Sequence, residues 1–463
     1  MKSIFNPLIL PLTFFFFINH FQAQGPPAAI ANTLQGITNN ALPSQMSNSG
    51  IVLGIYVPGE WSWQGTSGYA ISGMTSGQPA TLAQPDSKFR IGSITKTMVA
   101  TCILKLDENG LLNIDDPIDN YLRSTLVNDT IASSGTIKIR HLMNHTSGIS
   151  NSADNPTCQS TVLSNPLTSW TLEEAIYCGA SQGEIFPPEF AWGYSNTNYT
   201  ILAMIIEEVT GNSYENYLLQ NIITPLSLQN TEIPSTPQIS GSHMGCYWDI
   251  GSWIDLTIIH PSTYTGWADV VSTTEDLNIF YSNLLDGNLI SNNSLNKMKV
   301  IDPASFDYGL GLDFYLIGGN DYYGHTGEVA NSSSMFFADV STSLAPNGYY
   351  ISFNFNMQGA DMYSAIELPV YNLLNSGTAA SIKPSKTLEY TFYPNPTKNT
   401  VHFQHPTNEK GTCCIYDLQG KLIKTHVFTN GTNSINCNEL EKGIYTAKLT
   451  TQQQQTNQKL IIQ

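Results

Sequence analysis

Basic residues are scarce in this chain, and arginine is the rarest charged residue. The 463 residues contain 19 lysines and arginines against 36 aspartates and glutamates, for a formal net charge of −17 at pH 7. Three arginines are present, Arg90, Arg123 and Arg140, so no arginine follows position 140. This charge disfavours binding to nucleic acid or to anionic membranes. A substrate carboxylate would also find no arginine partner in the later part of the chain.

Long apolar runs are equally rare. Residues 1–23 contain Lys2, an apolar stretch from Leu8 to Ile18 and then a polar end, a pattern typical of a signal peptide. The stretch is too short to cross a bilayer, and no later segment is long and apolar enough. No cysteine follows it directly, which argues against a lipoprotein anchor. We therefore expect an exported protein without a transmembrane segment.

Metal-binding spacings are missing as well. His141 and His145 are four residues apart on a predicted helix, but position 142 is a leucine, so the glutamate of an H-E-x-x-H zinc motif is absent. The seven cysteines also lack zinc spacing. In an exported protein, Cys158 and Cys178 are candidates for a local disulfide, whereas Cys102 lies in an apolar helix and is predicted to be a buried thiol. We expect neither a metal nor a cofactor.

The chain does contain a serine and a lysine three residues apart, in Ser93-Ile94-Thr95-Lys96, where a long apolar helix begins. Positions i and i+3 share a helix face, so the amine can reach the hydroxyl. Burial and the positive end of the helix macrodipole both lower the pKa of such a lysine toward that of a base active at neutral pH. The predicted helix stops at Gly110. The alternative is a serine N-cap followed by a solvated lysine.

Two further motifs follow in the chain. Tyr194-Ser195-Asn196 precedes a predicted helix over 198–210 that Gly211 closes. His325-Thr326-Gly327 precedes a predicted strand over 334–340, which places it on or beside an edge strand. The sequence alone leaves plainer alternatives open: Tyr194 as a core aromatic, Asn196 as a helix cap and His325 as a surface loop residue.

The three motifs together resemble those of the penicillin-recognising serine hydrolases, which include class C β-lactamases, serine DD-carboxypeptidases, D-aminopeptidases and related esterases. The resemblance covers residues 28–375 as one β-lactamase-like serine hydrolase domain. It implies an α+β fold, in which an antiparallel sheet is flanked by helices and a helical lobe lies beside it. We expect early strands near 51–57 and 61–71 and late strands near 334–340 and 350–356 in that sheet.

The resemblance also implies a role for each motif residue. Ser93 would become acylated, Lys96 would accept its proton, and Tyr194 would relay a proton to the leaving group. The implied substrate-binding residues are Asn196, His325, Thr326 and Gly327. The backbone amides of Ser93 and Glu328 would form the oxyanion hole.

The implied substrate is less sharply defined. Histidine at position 325, where many relatives have lysine, resembles the D-alanyl-D-alanine carboxypeptidase and D-peptidase side of the family, and we expect that activity on a small-molecule or peptide substrate. Glu328 and the missing late arginine would disfavour a substrate carboxylate, which leaves an esterase or a class C-like β-lactamase of the same fold as alternatives. An alternative of another class is a non-catalytic surface binding protein. Aromatic residues are dense between Cys246 and Trp267, either at a pocket lip or in packing.

A boundary is predicted after the hydrolase region. Residues 376–388 form a small-residue linker, and residues 389–463 alternate short β-like runs with turns, as in a small all-β sandwich. Tyr393-Pro394-Asn395-Pro396 and Gly443-Ile444-Tyr445 resemble the C-terminal sorting domain of the type IX secretion system of Bacteroidetes. A generic carbohydrate-binding or adhesive module is the alternative. The resemblance implies the secretion machinery as a partner, and a location at the cell surface or in the medium.

Overall fold

The computed structural model describes residues 24–42, 49–73, 79–123, 129–249, 252–305, 307–317, 320–376, 392–405, 410–416, 422–429, 431–440, 442–451 and 455–462. The predicted signal peptide, residues 1–23, lies outside these ranges, and so does the predicted linker apart from Ser376. Within them, no helix combines the length and the apolarity that a bilayer span requires.

Strands from both ends of the hydrolase region form one seven-stranded sheet. They are β1 (Gly50–Val57), β2 (Trp61–Ile71), β3 (Thr81–Leu82), β8 (Asp313–Ile317), β9 (Asn320–Gly327), β10 (Ser332–Ala338) and β11 (Tyr349–Phe355). Their order is β3-β2-β1-β11-β10-β9-β8, and each neighbouring pair is antiparallel. The predicted sheet of early and late strands is therefore confirmed, with β10 starting two residues earlier than predicted. Two short pairs lie outside it, β4 (Phe89–Arg90) with β7 (Val271–Ser272) and β5 (Tyr247–Asp249) with β6 (Trp253–Asp255).

Helices cover the sheet and build the second lobe. They are α1 (Ala28–Asn40), α2 (Thr95–Glu108), α3 (Ile139–Met143), α4 (Pro156–Ser164), α5 (Leu172–Ala180), α6 (Asn196–Thr210), α7 (Tyr214–Leu218), α8 (Thr274–Leu285), α9 (Asn292–Met298) and α10 (Leu368–Ser376). Because strand side chains alternate between faces, Ile51, Leu53 and Ile55 of β1 join one buried cluster with α1 and α10. Val52 of the same strand joins the other cluster, with α2, α6 and α8.

Helix α2 lies at the centre of the second cluster. Its residues from Thr95 to Leu104 are all buried, so it is enclosed on every side, as its apolar sequence predicts. The helix ends at Glu108, and Gly110 follows with φ +67°, a left-handed conformation that favours glycine. This burial matters for the site, because the first turn of α2 carries Lys96.

The C-terminal strands form a separate all-β unit. They are β12 (Thr400–His405), β13 (Gly411–Tyr416), β14 (Leu422–Phe428), β15 (Gly431–Asn436), β16 (Gly443–Thr451) and β17 (Gln455–Ile462). One sheet pairs β12 with β15, and the other has the order β14-β13-β16-β17. Apolar side chains from both sheets, among them Val401, Phe403 and Ile415, form one buried cluster, which confirms the predicted small sandwich.

The predictions for the cysteines of the hydrolase region are confirmed. Cys158 on α4 and Cys178 on α5 form a disulfide, with 5.7 Å between their Cα atoms. Cys102 is a fully buried free thiol on α2, and burial raises its pKa to about 12. The disulfide ties two helices that form one side of the cleft described below.

Candidate active site

Ser93 lies in a 3₁₀ turn, Gly92–Ile94, that leads directly into α2. Lys96, one turn later, donates a hydrogen bond from Nζ to Ser93 Oγ over 2.8 Å. Its Nζ also lies 3.3 Å from the carbonyl oxygen of Trp267. The arrangement brings a basic nitrogen onto a hydroxyl oxygen, as the i, i+3 spacing predicts.

The side chain of Lys96 has no exposed surface. Its Nζ lies 4.9 Å from the ring centre of Tyr194, 5.5 Å from that of Tyr199 and 5.3 Å from that of Trp267. Burial lowers the pKa of Lys96 well below its usual value, although the carboxyls of Asp313 and Asp269 act in the opposite direction. The rings can stabilise an ammonium, but desolvation dominates and favours the neutral amine.

Tyr194 stands at the end of the loop that leads into α6. Burial raises the pKa of its hydroxyl well above the usual value, and a hydrogen bond with Ser93 acts in the opposite direction. The phenol therefore keeps its proton at neutral pH, beside the serine oxygen and the lysine amine. Its ring lies 4.2 Å, centre to centre, from the ring of His145.

Asn196 is the first residue of α6, which begins two residues earlier than predicted. It is 5% exposed, and its backbone N–H donates to Asn151 Oδ1 over 3.0 Å. Its carboxamide oxygen is buried and lacks a hydrogen-bond partner among the described residues. An unpaired buried acceptor is costly, so a donor supplied by a substrate would stabilise this position.

His325 lies on β9 and is 2% exposed, so it is not a surface loop residue. Tyr308 Oη lies 3.0 Å from its Nε2, and its Nδ1 contacts the carbonyl oxygen of Thr326. Because a carbonyl only accepts, Nδ1 carries the proton, and Nε2 accepts from the tyrosine. Burial lowers the pKa of His325 to about 3. The imidazole is therefore neutral at neutral pH.

The end of β9 packs directly against the turn that carries Ser93. A Cβ added to Gly92, which has φ +57°, would lie 2.4 Å from the Glu328 nitrogen. A Cβ added to Gly327 would lie 2.0 Å from the Ile91 carbonyl oxygen and 3.0 Å from the Ser93 nitrogen. Both positions require glycine, because only glycine allows two backbones to approach so closely. The amide nitrogens of Ser93 and Glu328 thus lie on adjoining segments.

A cleft of about 670 Å³ opens beside Ser93. The predicted site residues that line it are Ser93, Tyr194, Asn196, His325, Thr326, Gly327 and Glu328. Lys96 is buried behind the cleft wall and contacts Ser93, which lines the cleft, through a hydrogen bond. The structure therefore brings together every residue that the three motifs single out.

The walls of the cleft are aromatic and acidic. Trp170, Trp192, Trp248, Tyr264 and Trp267 contribute to them, and so do the carboxyls of Asp307, Asp313 and Glu328. None of the described lining residues is a lysine or an arginine. The aromatic segment between Cys246 and Trp267 therefore serves both expected uses. Some of its rings line the cleft, whereas Tyr247 and Trp253 pack against the core.

The three arginines of the chain have partners elsewhere. Arg90 is fully buried and donates to the carbonyl oxygens of Pro237, Thr257 and Ile259. Arg123 pairs with Glu208, and Arg140 pairs with Asp115. The carboxylate of Glu328 accepts a hydrogen bond from Gln358 Nε2 over 3.3 Å.

The histidine pair of the helical region does not form a joint site. His141, on α3, contacts Glu189 Oε1 through Nε2 at 2.8 Å. His145 follows the helix with φ +63° and accepts a hydrogen bond from the Ser195 backbone N–H at Nδ1. It packs against Tyr194 and Tyr308, so it supports the loop that carries the second motif.

Sequence reasoning missed two residues of the site, Tyr308 and Asp313. Both are brought to His325 by β8 and the loop before it, and neither belongs to a local motif.

One other serine, Ser181, stands in the G-x-S-x-G pattern that marks the nucleophile of α/β-hydrolases. It follows α5 as a C-terminal cap, not a strand, so it lacks the strand-to-helix turn that the pattern requires.

Comparison with known proteins agrees with this geometry. Residues 38–365 match the family model described as Beta-lactamase, and residues 391–463 match that of the Secretion system C-terminal sorting domain. A Bacillus subtilis protein described as a penicillin-binding protein, PbpX, is 28% identical over 293 residues, which cover 63% of this chain and 68% of that protein.

Solved structures give the same result. A D-stereospecific amidohydrolase from Streptomyces sp. is 28% identical with a TM-score of 0.63, covering 76% of this chain and 99% of that one. The D-amino acid amidase from Ochrobactrum anthropi SV3 is 25% identical with a TM-score of 0.62, covering 74% and 98%. Since the first family model spans well over half of the sequence, the chain belongs to the β-lactamase family and is a serine hydrolase with a secretion-system sorting domain at its C-terminal end.

Proposed function

We propose that the protein is a D-stereospecific amidohydrolase that cleaves amide bonds through an acyl-enzyme on Ser93. The observation that carries this proposal is the 2.8 Å contact between Lys96 Nζ and Ser93 Oγ at the edge of a substrate-sized cleft. The neutral amine accepts the serine proton as the oxygen attacks the carbonyl carbon. The similarity to a D-stereospecific amidohydrolase and to a D-amino acid amidase supports both the amide bond and the D configuration.

The remaining residues have roles that follow from their chemistry. Tyr194 keeps its proton, so it can pass one to the leaving amine and later help to activate water. The amides of Ser93 and Glu328 donate to the oxyanion of the tetrahedral intermediate. Asn196 offers its unpaired carboxamide oxygen to a substrate N–H. His325 and Thr326 bind the substrate, and Gly327 allows β9 to approach the serine.

The composition of the cleft favours one branch of D-peptide chemistry. A D-alanyl-D-alanine carboxypeptidase must bind a terminal carboxylate, and so must an enzyme that acts on penicillins. No lysine or arginine is among the described lining residues, whereas three carboxyls are. We therefore propose amides and peptides cleaved at an N-terminal D-residue as substrates. Esters remain the second candidate, because their leaving group is also uncharged.

The C-terminal domain supports a proposal on location. A sorting domain at residues 391–463 directs its carrier to a secretion system, which we propose to be type IX. The hydrolase would then act at the cell surface or in the medium, after export across both membranes. Substrates from outside the cell, such as D-amino-acid peptides and amides, fit that location.

The test combines trapping with turnover. Purified protein is labelled with a fluorophosphonate, and hydrolysis of D-phenylalanine amide, L-phenylalanine amide, D-alanyl-D-alanine, nitrocefin and a p-nitrophenyl ester is measured. We expect label on Ser93, faster cleavage of the D than of the L amide, and no turnover by the Ser93→Ala variant. Equal hydrolysis rates for that variant and the wild type would overturn the proposed acyl-enzyme mechanism at Ser93. A preference for D-alanyl-D-alanine over the D amide would overturn the proposed preference for a leaving group without a carboxylate.

A further inference from the structure

Asp313 brings a carboxyl group to the third motif from a neighbouring strand. It is the first residue of β8, and it pairs with Gly324, one residue before His325 on β9. The preceding segment is clamped to α2, because Thr97 Oγ1 donates to the Gly311 carbonyl oxygen over 2.7 Å. The Asp313 side chain is 15% exposed and lines the cleft. Its position is therefore fixed by the sheet and by the helix that carries Lys96.

The carboxyl of Asp313 already contacts the third motif, which is expected to bind the substrate. It accepts a hydrogen bond from the Thr326 backbone N–H. Its Oδ2 lies 3.6 Å from His325 Nδ1, which is contact without a hydrogen bond. A protein carboxyl thus lies against His325 and Thr326 on the cleft wall.

We propose that Asp313 is a specificity-determining residue that selects against substrates with a carboxylate beside the scissile bond. This inference rests on the proposed function and names the kind of leaving group that the site accepts. Two carboxylates that share one site cannot both be ionised without a large cost. An uncharged amide in the same place carries no such cost and can donate its N–H to Asp313.

The charge of Asp313 makes this selection dependent on pH. Burial and the neighbouring Asp307 raise the pKa of Asp313 to about 8, although the Thr326 N–H and Lys96 act in the opposite direction. Below that pH the carboxyl is neutral and tolerates a substrate carboxylate; above it the carboxylate repels one. The selection against carboxylates should therefore strengthen as pH rises through this range.

Other titratable groups interact with Asp313 from every side. They are Asp307 before β8, Lys96 on α2, His325 on β9, Tyr315 on β8, Tyr199 on α6, Tyr281 on α8, and Tyr194 and Tyr308 on loops. Burial raises the pKa of each tyrosine above its usual value, and burial lowers the pKa of His325 to about 3. Among these described groups, Asp313 is thus the carboxyl that contacts His325 and Thr326 and changes charge near pH 8.

The test compares two substrates that share a scissile bond, D-alanyl-D-alaninamide and D-alanyl-D-alanine. Release of D-alaninamide or D-alanine is measured by chromatography from pH 6 to pH 9. We expect the full-length protein to prefer the amide, and this preference should grow by at least about tenfold across this range. Repulsion between two carboxylates that shifts a pKa by one unit corresponds to a tenfold change in binding. In Asp313→Asn, which keeps an acceptor for the Thr326 N–H, the preference should be smaller and independent of pH.

Asp307→Asn is the matched control, because Asp307 lines the same cleft and raises the pKa of Asp313. It should keep the preference and move its midpoint to lower pH. Fluorophosphonate labelling of Ser93 checks that each variant retains a folded site. An unchanged preference in a labelled, active Asp313→Asn variant would overturn the role of Asp313. Absence of Ser93-dependent cleavage of both substrates would instead overturn the proposed function.

Discussion

Lys96 Nζ lies 2.8 Å from Ser93 Oγ, although the lysine side chain has no exposed surface. Removing an ammonium from water is expensive, so burial holds this amine in its neutral form. The same burial raises the pKa of Asp269 to about 7 and that of Asp313 to about 8. The interior beside Ser93 therefore favours a neutral Lys96 amine over an ion pair between Lys96 and a carboxylate. A neutral amine is what a serine hydrolase needs, because it must accept the proton of the attacking hydroxyl.

Lys96→Met should separate activity from stability. Loss of the base should lower kcat/KM by about 10² to 10⁴, the usual contribution of a positioned general base. The apolar side chain should raise the unfolding free energy by on the order of 1 kcal/mol, since no buried amine remains to be desolvated. Urea denaturation and amide turnover measure the two effects.

Lys105→Met is the control for that variant. Lys105 lies on the same helix, and its Nζ bonds to the Leu289 carbonyl oxygen over 3.0 Å, away from Ser93. This variant should keep the wild-type kcat/KM. If Lys96→Met turned over as fast as Lys105→Met, the assignment of the base would be wrong.

Gly92→Ala should disturb the backbone contact between Ser93 and Glu328. The added methyl would lie 2.4 Å from the Glu328 nitrogen, so the oxyanion donors must separate. Loss of one such donor costs about 10² to 10³ in kcat. Gly110→Ala is the matched control, because Gly110 also has a positive φ but an added Cβ would meet nothing within 4 Å. Both variants should lose some stability, and a kcat loss of equal size in both would contradict the proposed geometry.

The pairing of Ser93 with Lys96 could be predicted because it is local, set by the spacing of one helical turn. Tyr194 and His325 could be predicted only because each stands in a short motif. Asp313 and Tyr308 carry no such signal, since they reach His325 through strand pairing at the sheet edge and through the loop before β8. The start of α6 was predicted two residues late, which hid that Asn196 lies in its first turn. Contacts made by distant segments were thus the part that sequence reasoning could not supply.

His325→Asn should lower the rate without moving the acid limb of the pH profile. Burial lowers the pKa of His325 to about 3, so the imidazole stays neutral between pH 5 and pH 9. A misplaced substrate should lower kcat/KM by up to about 10²-fold. The acid limb should follow Lys96, whose amine must be neutral to accept a proton. A shifted acid limb in the variant would show that His325 titrates during turnover.

Stability gives a second measurement on the same variant. The unfolded chain binds a proton at His325 below its ordinary pKa of 6.5, whereas the folded protein does so only near 3. Wild-type protein therefore loses stability from this residue as pH falls through that window. Between pH 6.5 and pH 3, the free energy of unfolding of His325→Asn should therefore rise relative to that of the wild type by up to about 1.4 kcal/mol for each pH unit of acidification. Urea denaturation at pH 7, 6 and 5 measures this difference.

Removal of the Cys158–Cys178 disulfide should destabilise the cleft wall between α4 and α5. The bridge spans 20 residues, and closing a loop of such length contributes about 3 kcal/mol to the unfolding free energy. The Cys158→Ala/Cys178→Ala double variant should lose about that amount, and a reductant should destabilise the wild type but not the double variant. Cys102→Ala, at a free buried thiol, is the control and should keep its sensitivity to reductant. Equal stability of wild type and double variant in oxidising buffer would contradict the role of the bridge.

Trp248→Ala should weaken the binding of bulky apolar acyl groups. Trp248 lines the cleft from β5, whereas Trp253 of the adjoining β6 packs against the cluster on the other side of the sheet. If the aromatic wall receives the substrate side chain, kcat/KM for D-phenylalanine amide should fall by about 10- to 100-fold, as the loss of 1.5–3 kcal/mol of apolar burial implies. The value for D-alanine amide should change little, because a methyl group reaches less of the wall. Trp253→Ala should lower stability but leave the ratio of the two amides unchanged, and the same change of ratio in both variants would show that the hairpin acts only through packing.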